Sequence, residues 1–522
     1  MTKTRSIKPA MRSARSLQKE TAHQGIYFLG IVLAAALVLG VPFFVRIMAH
    51  EPLILGSETA KTLALVRHAN FSGLLIQDPF LGTSVGSSPW LRLLALCGLS
   101  DDTLIWLPWT LGILTVLILY RALLRVYPTK KAALAIAFVL INPVFIGTFT
   151  ELSSWTFLAF IFTCAASTML AGKETWTGLL LAIMIIEDPF SGTFAAATII
   201  LLMQIMRVQT GKGRAGARTQ GKIDKDIRKA SWGMVIALTA LAIVSFLVQS
   251  LSPVILETPF NSISDLGVTY GVPATLVLLL LTGLVATWNR ELKGQSEVYA
   301  ASLTILVAFQ FVWLPARILL PGLVGMVAAE GILFLGVRTW SYPAMKQFTI
   351  LLIICTFFIS LSTFYSVFDT QQPSQQMALA LSSLPAQLMQ HGAASTGGGD
   401  GISPTGAILA RPEIGAFVEY YAGLPVVADL YSQQRSFSKE QWKIGEEALL
   451  SRNPEQTREL LQNLKVHTIL IDPVLETDLE GRGQGILFLI GFTQEFTQLN
   501  LDKNYRLYAL QPVATGTLQS TS

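Results

Sequence analysis

Between residues 25 and 367 the chain keeps returning to apolar runs near the length of a bilayer-crossing helix. A hydrocarbon core about 30 Å thick needs about 20 predominantly apolar residues, and a backbone in lipid must satisfy its own N–H and C=O groups inside a helix or a closed barrel. Runs of this kind lie near 25–47, 103–124, 131–149, 154–171, 175–187, 189–206, 231–252, 271–288, 298–314, 317–336 and 347–367, with 175–187 short for its task. They predict a polytopic α-helical membrane protein of about 11 transmembrane helices. Composition agrees: 52% of the 522 residues are hydrophobic and 14% charged, where a soluble domain carries about 25% charged residues.

The distribution of charge predicts an orientation. The last 155 residues, from Phe368, hold 10 Lys/Arg and 16 Asp/Glu, a net of −6, so the total of +5 leaves +11 for everything before them. That excess lies in short loops: Arg121, Arg125, Lys130 and Lys131; Lys173; eight basic residues between Arg207 and Lys229; Arg290 and Lys293; Arg338 and Lys346. The alternate loops carry Glu51, Glu58, Asp78, Asp101 and Asp102; Glu151; Glu187 and Asp188; Glu257 and Asp265. This is positive-inside anchoring, not a phosphate-binding face, and it excludes a nucleic-acid reading of the basic pI. The N-terminus is expected in the cytoplasm, the C-terminal region outside the cell membrane. Residues 1–24, with six Lys/Arg and one acid, read as a basic cytoplasmic arm before a retained signal-anchor, since no small-residue cleavage site follows. Cys97, Cys164 and Cys355 form neither a disulfide framework nor a metal-ligand spacing.

The expected organisation is a multi-span domain over 25–367, a helix and Gly-rich linker over 368–405, and an external α/β domain over 406–522. The first external loop, 48–102, is patterned: Ser57 suits the start of a helix at 58–70, and Asp78-Pro79 breaks the chain before a second helix at 89–99. In the C-terminal domain strands are expected at 406–410, 425–429, 467–472 and 505–510, and helices at 412–422, 439–451, 454–464 and 484–499.

No HExxH, P-loop or paired CxxC occurs. What remains is a set of acids and one arginine expected on the outer side. Glu58 opens a helix, where the helix dipole alone would favour a carboxylate, or where it could act as a metal ligand or general base. Glu151 follows the third apolar run in a loop too short to leave the bilayer surface. Asp188, in IIEDPFSG, fits ordinary turn chemistry and is a secondary candidate, as is Asp265. Glu257 and Asp265 share an external loop without Lys or Arg, which suits a bound cation or simple solvation. Arg317 falls between two apolar runs, where lipid phosphate is its natural partner and snorkelling to headgroups the plain alternative. Carboxylates gathered from separate loops would suit Mg²⁺ or Mn²⁺, with Glu58, Glu151 and Glu257 as ligands.

The stretch ARPEIGAFVEYYAGLPVVAD at 410–429 resembles the catalytic subunit of oligosaccharyltransferase, a GT-C membrane glycosyltransferase. In that family a strand precedes a WWDYG motif, followed by a segment similar to YYAGLPVVAD. Here the motif positions read Arg411, Pro412, Glu413, Ile414 and Gly415, so the acid and the glycine are kept in kind while both tryptophans and the tyrosine are lost. Glu58 stands where the family has its first-loop acid, with Thr59, Ala60 and Lys61 in place of the aromatic pair. Glu151 matches the second acidic motif, Glu257 in ILETPF the acid of a later loop, and Arg317 a lipid-phosphate arginine in kind. NSISDLGVTYG looks like a stretch of archaeal GT-C-like proteins, which makes a degenerate archaeal-type paralogue the nearest description.

The resemblance implies transfer of a sugar or oligosaccharide from a polyprenyl-(di)phosphate donor to an extracytoplasmic protein or glycan. Glu58 and Glu151 would be catalytic, Arg317 would bind donor phosphate, and Glu413 and Gly415 would lie on the acceptor side. The family's tryptophans serve the pocket that reads the Asn-X-Ser/Thr hydroxyl, so their loss predicts no selection of that acceptor. The competing readings are a non-catalytic membrane scaffold that kept the fold and, less favoured for lack of acids deep in the spans, a lipid or solute transporter.

Overall fold

The structure is a computed structural model. It describes residues 8–68, 76–77, 84–85, 88–211, 263, 271–291, 297–337, 342–370, 372–395, 407–429, 436–493, 496–500 and 505–510. The chain divides into two compact units. The first takes residues up to 45 and most of 102–370; the second takes 46–101 and 371 onward.

In chain order, α1 (Lys8–Met48) leads into the second unit's α2 (Ser57–His68), the ribbon β1 (Ile76–Gln77) with β2 (Ser84–Val85), and α3 (Pro89–Cys97). Helices of the first unit follow: α4 (Asp101–Leu123), α5 (Thr129–Leu140), α6 (Pro143–Thr148), α7 (Ser154–Leu170), α8 (Glu174–Glu187) and α9 (Pro189–Gly211). After them come α10 (Ala274–Glu291), α11 (Glu297–Val312), α12 (Leu314–Leu319), α13 (Pro321–Val337) and α14 (Pro343–Thr370). The second unit resumes with α15 (Gln375–Ser395), β3 (Ala407–Leu409), α16 (Pro412–Ala422), α17 (Ser436–Leu450), α18 (Pro454–Asn463) and β4 (Val466–Ile471). It ends with α19 (Pro473–Gly481), α20 (Ile486–Phe492), β5 (Phe496–Asn500) and β6 (Arg506–Leu510).

Among the described residues three helices are long and apolar enough to cross a membrane, at Gly25–Met48, Asp101–Leu123 and Pro343–Ser366. Their outward faces are apolar: on α14 Phe348, Leu351, Phe358 and Ile359 are exposed, and on α1 so are Leu29, Leu33 and Leu37. Such stripes belong against lipid. Helices inside the unit approach through small residues. On α10 a Cβ at Gly283 would lie 2.0 Å from the Val327 carbonyl oxygen, and on α13 one at Gly331 would lie 2.3 Å from that of Leu279. Close backbone contact of this kind is how apolar helices associate where no hydrophobic force separates helix from lipid.

Two expected spans are broken. The run at 131–149 stops at Ile141, because the Asn142 side chain accepts from the Val144 N–H at 3.1 Å and Pro143 starts the separate short helix α6. The run at 317–336 divides likewise: α12 ends at Leu319, Leu320 is its cap, and Pro321 begins α13. Apolar composition hid both breaks, while Asn-Pro and Leu-Pro carried them. The segment expected at 231–252 lies outside the described residues.

In the second unit four strands form one mixed sheet in the order β3-β4-β6-β5. β3 runs parallel to β4, and both β4–β6 and β5–β6 are antiparallel. Leu409, Leu449, Leu461, Ile469, Ile486 and Tyr508 are part of its core. The helix expected at 484–499 is corrected here: α20 ends at Phe492, and 496–500 is β5, an edge strand paired with β6 from Phe496↔Leu510 to Asn500↔Arg506. Tertiary pairing overrides local pattern there. The strand expected at 425–429 reduces to one bridge between Val426 and Ile408. α16 packs against α2 and α15, and α2 also against α3.

Candidate functional site

In the second unit, Gly56 turns the chain with φ 82°, and its N–H donates to the Gln372 side-chain oxygen. The helix that follows, α2, buries Ala60, Leu63 and Ala64 against α16, and Lys61 lies on that same buried stretch at 2% exposure. Opposite it, Glu419 projects from α16 four residues after Gly415, one helical turn on the same face. A Cβ on Gly415 would stand 2.5 Å from the Ala428 carbonyl oxygen, so only glycine lets residues 428–429 lie this close to α16. The Ile408 N–H donates to the Pro425 carbonyl at 2.8 Å, and the Val427 N–H to the Ile408 carbonyl at 3.0 Å; these bonds fix the approach.

These constraints bring four ionisable groups together. Lys61 Nζ is 2.7 Å from Glu419 Oε2 and 2.9 Å from Asp429 Oδ2, with all three side chains buried. Glu58, one turn before Lys61 on α2, keeps part of its surface open to solvent. Its carboxyl is pushed up from the ordinary 4.5 to about 7, first by burial, then by the negative charge of Asp429, against the opposing pull of Lys61. Half-ionised near neutrality, it is matched to taking up or giving a proton at physiological pH.

Beside the cluster, Arg67 pairs with Asp101 and donates to the Tyr420 hydroxyl at 3.0 Å, its guanidinium 4.5 Å from the ring centroid. The Tyr420 hydroxyl in turn donates to Asp101 Oδ2 at 2.8 Å. Burial, then the hydrogen bond to Asp101, raises the Tyr420 phenol well above its ordinary value.

The other described candidates divide between the two units. Glu413 is exposed in the first turn of α16, 3.7 Å from Arg411. Glu151 and Arg317 belong to the first unit. Glu151 is buried directly after α6, and the Thr156 hydroxyl donates to its carbonyl at 2.6 Å at the start of α7. Arg317, 1% exposed on α12, donates through Nε to the Gln310 carbonyl at 3.0 Å. Since α12 packs on α6, α7 and α9, the helices that carry Arg317 and flank Glu151 are in contact. Asp188 caps the α8–α9 turn, accepting from the Phe190 N–H at 3.2 Å and from the Ser191 hydroxyl, as plain turn chemistry predicts. Glu257 and Asp265 lie outside the described residues.

Where a divalent cation bridging Glu419 and Asp429 beside Glu58 would sit, the Lys61 ammonium stands between the two carboxylates. Among the described residues no group of three or more His, Cys, Asp or Glu side chains is placed to hold a metal ion.

No protein-family model matches the chain. No curated protein matches it either. Solved structures do. The Archaeoglobus fulgidus oligosaccharyltransferase AglB in complex with an inhibitory peptide and a dolichol-phosphate superposes with a TM-score of 0.54 at 13% identity, over 87% of this chain and 70% of that one. The Archaeoglobus enzyme tethered with an acceptor peptide containing the NVT sequon gives 0.55 at 13% identity, over 93% and 74%. Its apo form gives 0.55 at 13%, over 93% and 75%. The chain has the archaeal oligosaccharyltransferase fold.

On this oligosaccharyltransferase fold the chain carries its own chemistry at 411–415. Arg411 stands at the N-cap of α16 and is bidentate to Asp472 through Nε at 2.9 Å and Nη2 at 2.7 Å. Lys61, Glu419 and Asp429 had no motif to announce them. Their only sequence signal was a charge inside an apolar helical stripe, in TAKTLAL and AFVEYYA, and an aspartate ending LPVVAD.

Proposed function

We propose that this chain is a membrane glycosyltransferase that moves a sugar or oligosaccharide from a polyprenyl-phosphate or polyprenyl-diphosphate donor to an extracytoplasmic protein or glycan. The observation that carries the reading is the fold shared over 93% of the chain with an oligosaccharyltransferase whose solved forms include a tethered acceptor peptide, and a second form holding dolichol-phosphate. The positive-inside pattern supports about 11 crossings, a cytoplasmic N-terminus and an outer C-terminal α/β domain over 406–522.

In this reading Glu58 is the base that takes the proton of the acceptor nucleophile, its carboxyl near 7 suited to doing so at neutral pH. The first unit carries its own candidate for lipid phosphate in Arg317, a fixed positive charge on α12, which packs on the helices α6 and α7 that flank Glu151. Attack opposite the leaving phosphate inverts the anomeric centre. Arg411 and Pro412 in place of the tryptophans remove selection for an Asn-X-Ser/Thr hydroxyl.

A second reading, the non-catalytic scaffold, is favoured by one observation: the Lys61 ion pairs fill the cluster next to Glu58 from within the chain. Purified protein supplied with lipid-linked sugar donors separates the two. Transfer that falls about 100–1,000-fold in Glu58→Gln at unchanged folding supports the enzyme, since removing a group acting in the transition state costs that much. No transfer from monophosphate or diphosphate donors, with Glu58→Gln altering stability alone, supports the scaffold.

A further inference from the structure

The second unit contains a buried cation that is covalently part of the chain. Lys61 Nζ bridges Glu419 Oε2 at 2.7 Å and Asp429 Oδ2 at 2.9 Å, and the three side chains are 3%, 0% and 1% exposed. The three positions come from separate pieces of chain, namely α2, α16 and the segment after α16, so one ammonium ties three backbone segments together. Two carboxylates facing each other in a dry site repel unless a positive charge lies between them. That charge is commonly a metal ion when oxygen ligands converge from several loops. Here an ammonium with three N–H donors meets both oxygens at hydrogen-bond distance. A divalent ion entering the same space would have to displace it.

We propose that Lys61 is a built-in substitute for a divalent cation in this acid cluster, so that the unit folds and stays assembled independently of metal. The inference concerns Lys61, Glu419 and Asp429 with Glu58 beside them and does not rest on the transfer reaction. It makes Lys61 a positioning residue: it holds α2, and with it Glu58, against α16.

The test uses the full chain in detergent and reads its apparent Tm and its Mn²⁺ binding by electron paramagnetic resonance. The native protein should show the same Tm in chelator and in millimolar Mn²⁺. Lys61→Ala should lower Tm by roughly 10 °C, the range expected when one partner of a buried ion pair is removed. Mn²⁺ should restore part of that loss, and the restoration should vanish in Lys61→Ala with Asp429→Asn. Three results overturn the proposal: a native Tm that falls in chelator and loses this sensitivity in Asp429→Asn, a Lys61→Ala protein as stable as native, or a destabilised Lys61→Ala protein that Mn²⁺ does not rescue. If Lys61→Ala does not accumulate, the native protein decides: chelator-insensitive Tm supports the proposal, and a chelator-sensitive Tm abolished by Asp429→Asn overturns it.

Discussion

Replacing Glu58 by Gln keeps the shape of the side chain and removes its titration, which turns a local electrostatic arrangement into a measurable pH dependence. The carboxyl moves from an ordinary 4.5 to about 7 in the folded protein. The native state therefore holds this proton more tightly than the unfolded chain does. The resulting stability is fully present below about pH 4.5 and is lost as pH rises through about 7. At about 1.4 kcal/mol per pH unit the whole effect is about 3 kcal/mol, and most of it, about 2–3 kcal/mol, falls between pH 5 and pH 8. The solvent access Glu58 retains places the outcome at the lower end. Glu58→Gln has no proton to lose, so its Tm relative to native should climb by about 4–10 °C over that interval, at about 2–4 °C per kcal/mol for a unit of 150–250 residues. Thermal unfolding followed by intrinsic fluorescence at pH 5, 6, 7 and 8 measures the gap directly. Titrating groups away from the cluster are common to both proteins and cancel. A gap that stays flat, or narrows as pH rises, would refute the placement of Glu58 against Asp429 in a desolvated cluster.

Three further outcomes follow from the geometry. Gly415→Ala should cost about 1–3 kcal/mol by chemical denaturation, because its methyl group would meet the Ala428 carbonyl 2.5 Å away; a neutral effect would show that residues 428–429 yield. Arg411→Ala should lower stability toward the lower end of the roughly 3–5 kcal/mol typical of a broken buried pair, since Asp472 is buried but the guanidinium is partly exposed, and Arg411→Lys should recover only part of the loss for want of the bidentate fork. Cysteines placed in the 207–230 loop should resist a membrane-impermeant reagent in intact cells while one near 395 reacts, and labelling on the opposite sides would invert the proposed orientation.

Local signals in the sequence were enough for some elements. Pro412 at the first helical position and Gly423 in the left-handed region at its end bound α16, and both are visible as start and stop residues. Ser88-Pro89 and Gly98 do the same for α3. The breaks at Asn142-Pro143 and Leu320-Pro321 are equally local, but they sit inside apolar runs whose length argued for continuous spans. The conversion of 496–500 into a strand depends on β6 and cannot be read from its own residues. The site divides in the same way. Glu58 stands out as an acid at a helix start, whereas its partners Lys61, Glu419 and Asp429 are isolated charges in apolar surroundings that acquire meaning only when α2 and α16 meet. Arg411 read as a lost tryptophan, and its bond to Asp472 lies 61 residues away.

That last kind of separation is greatest for the lysine. Lys61 and Glu419 are 358 residues apart, and at a synthesis rate of about 5–20 residues per second roughly 20–70 s pass between their emergence from a ribosome. During that interval α2 has left the ribosome while the helix that covers it does not yet exist. The first loop therefore cannot complete its fold while the chain is being made, whatever its local helix signals. Until residues 412–429 arrive, the groups that bury its apolar face and bind its lysine in the finished fold are not yet made. A lesion in that late segment would then appear first as degradation of a loop made more than 300 residues earlier.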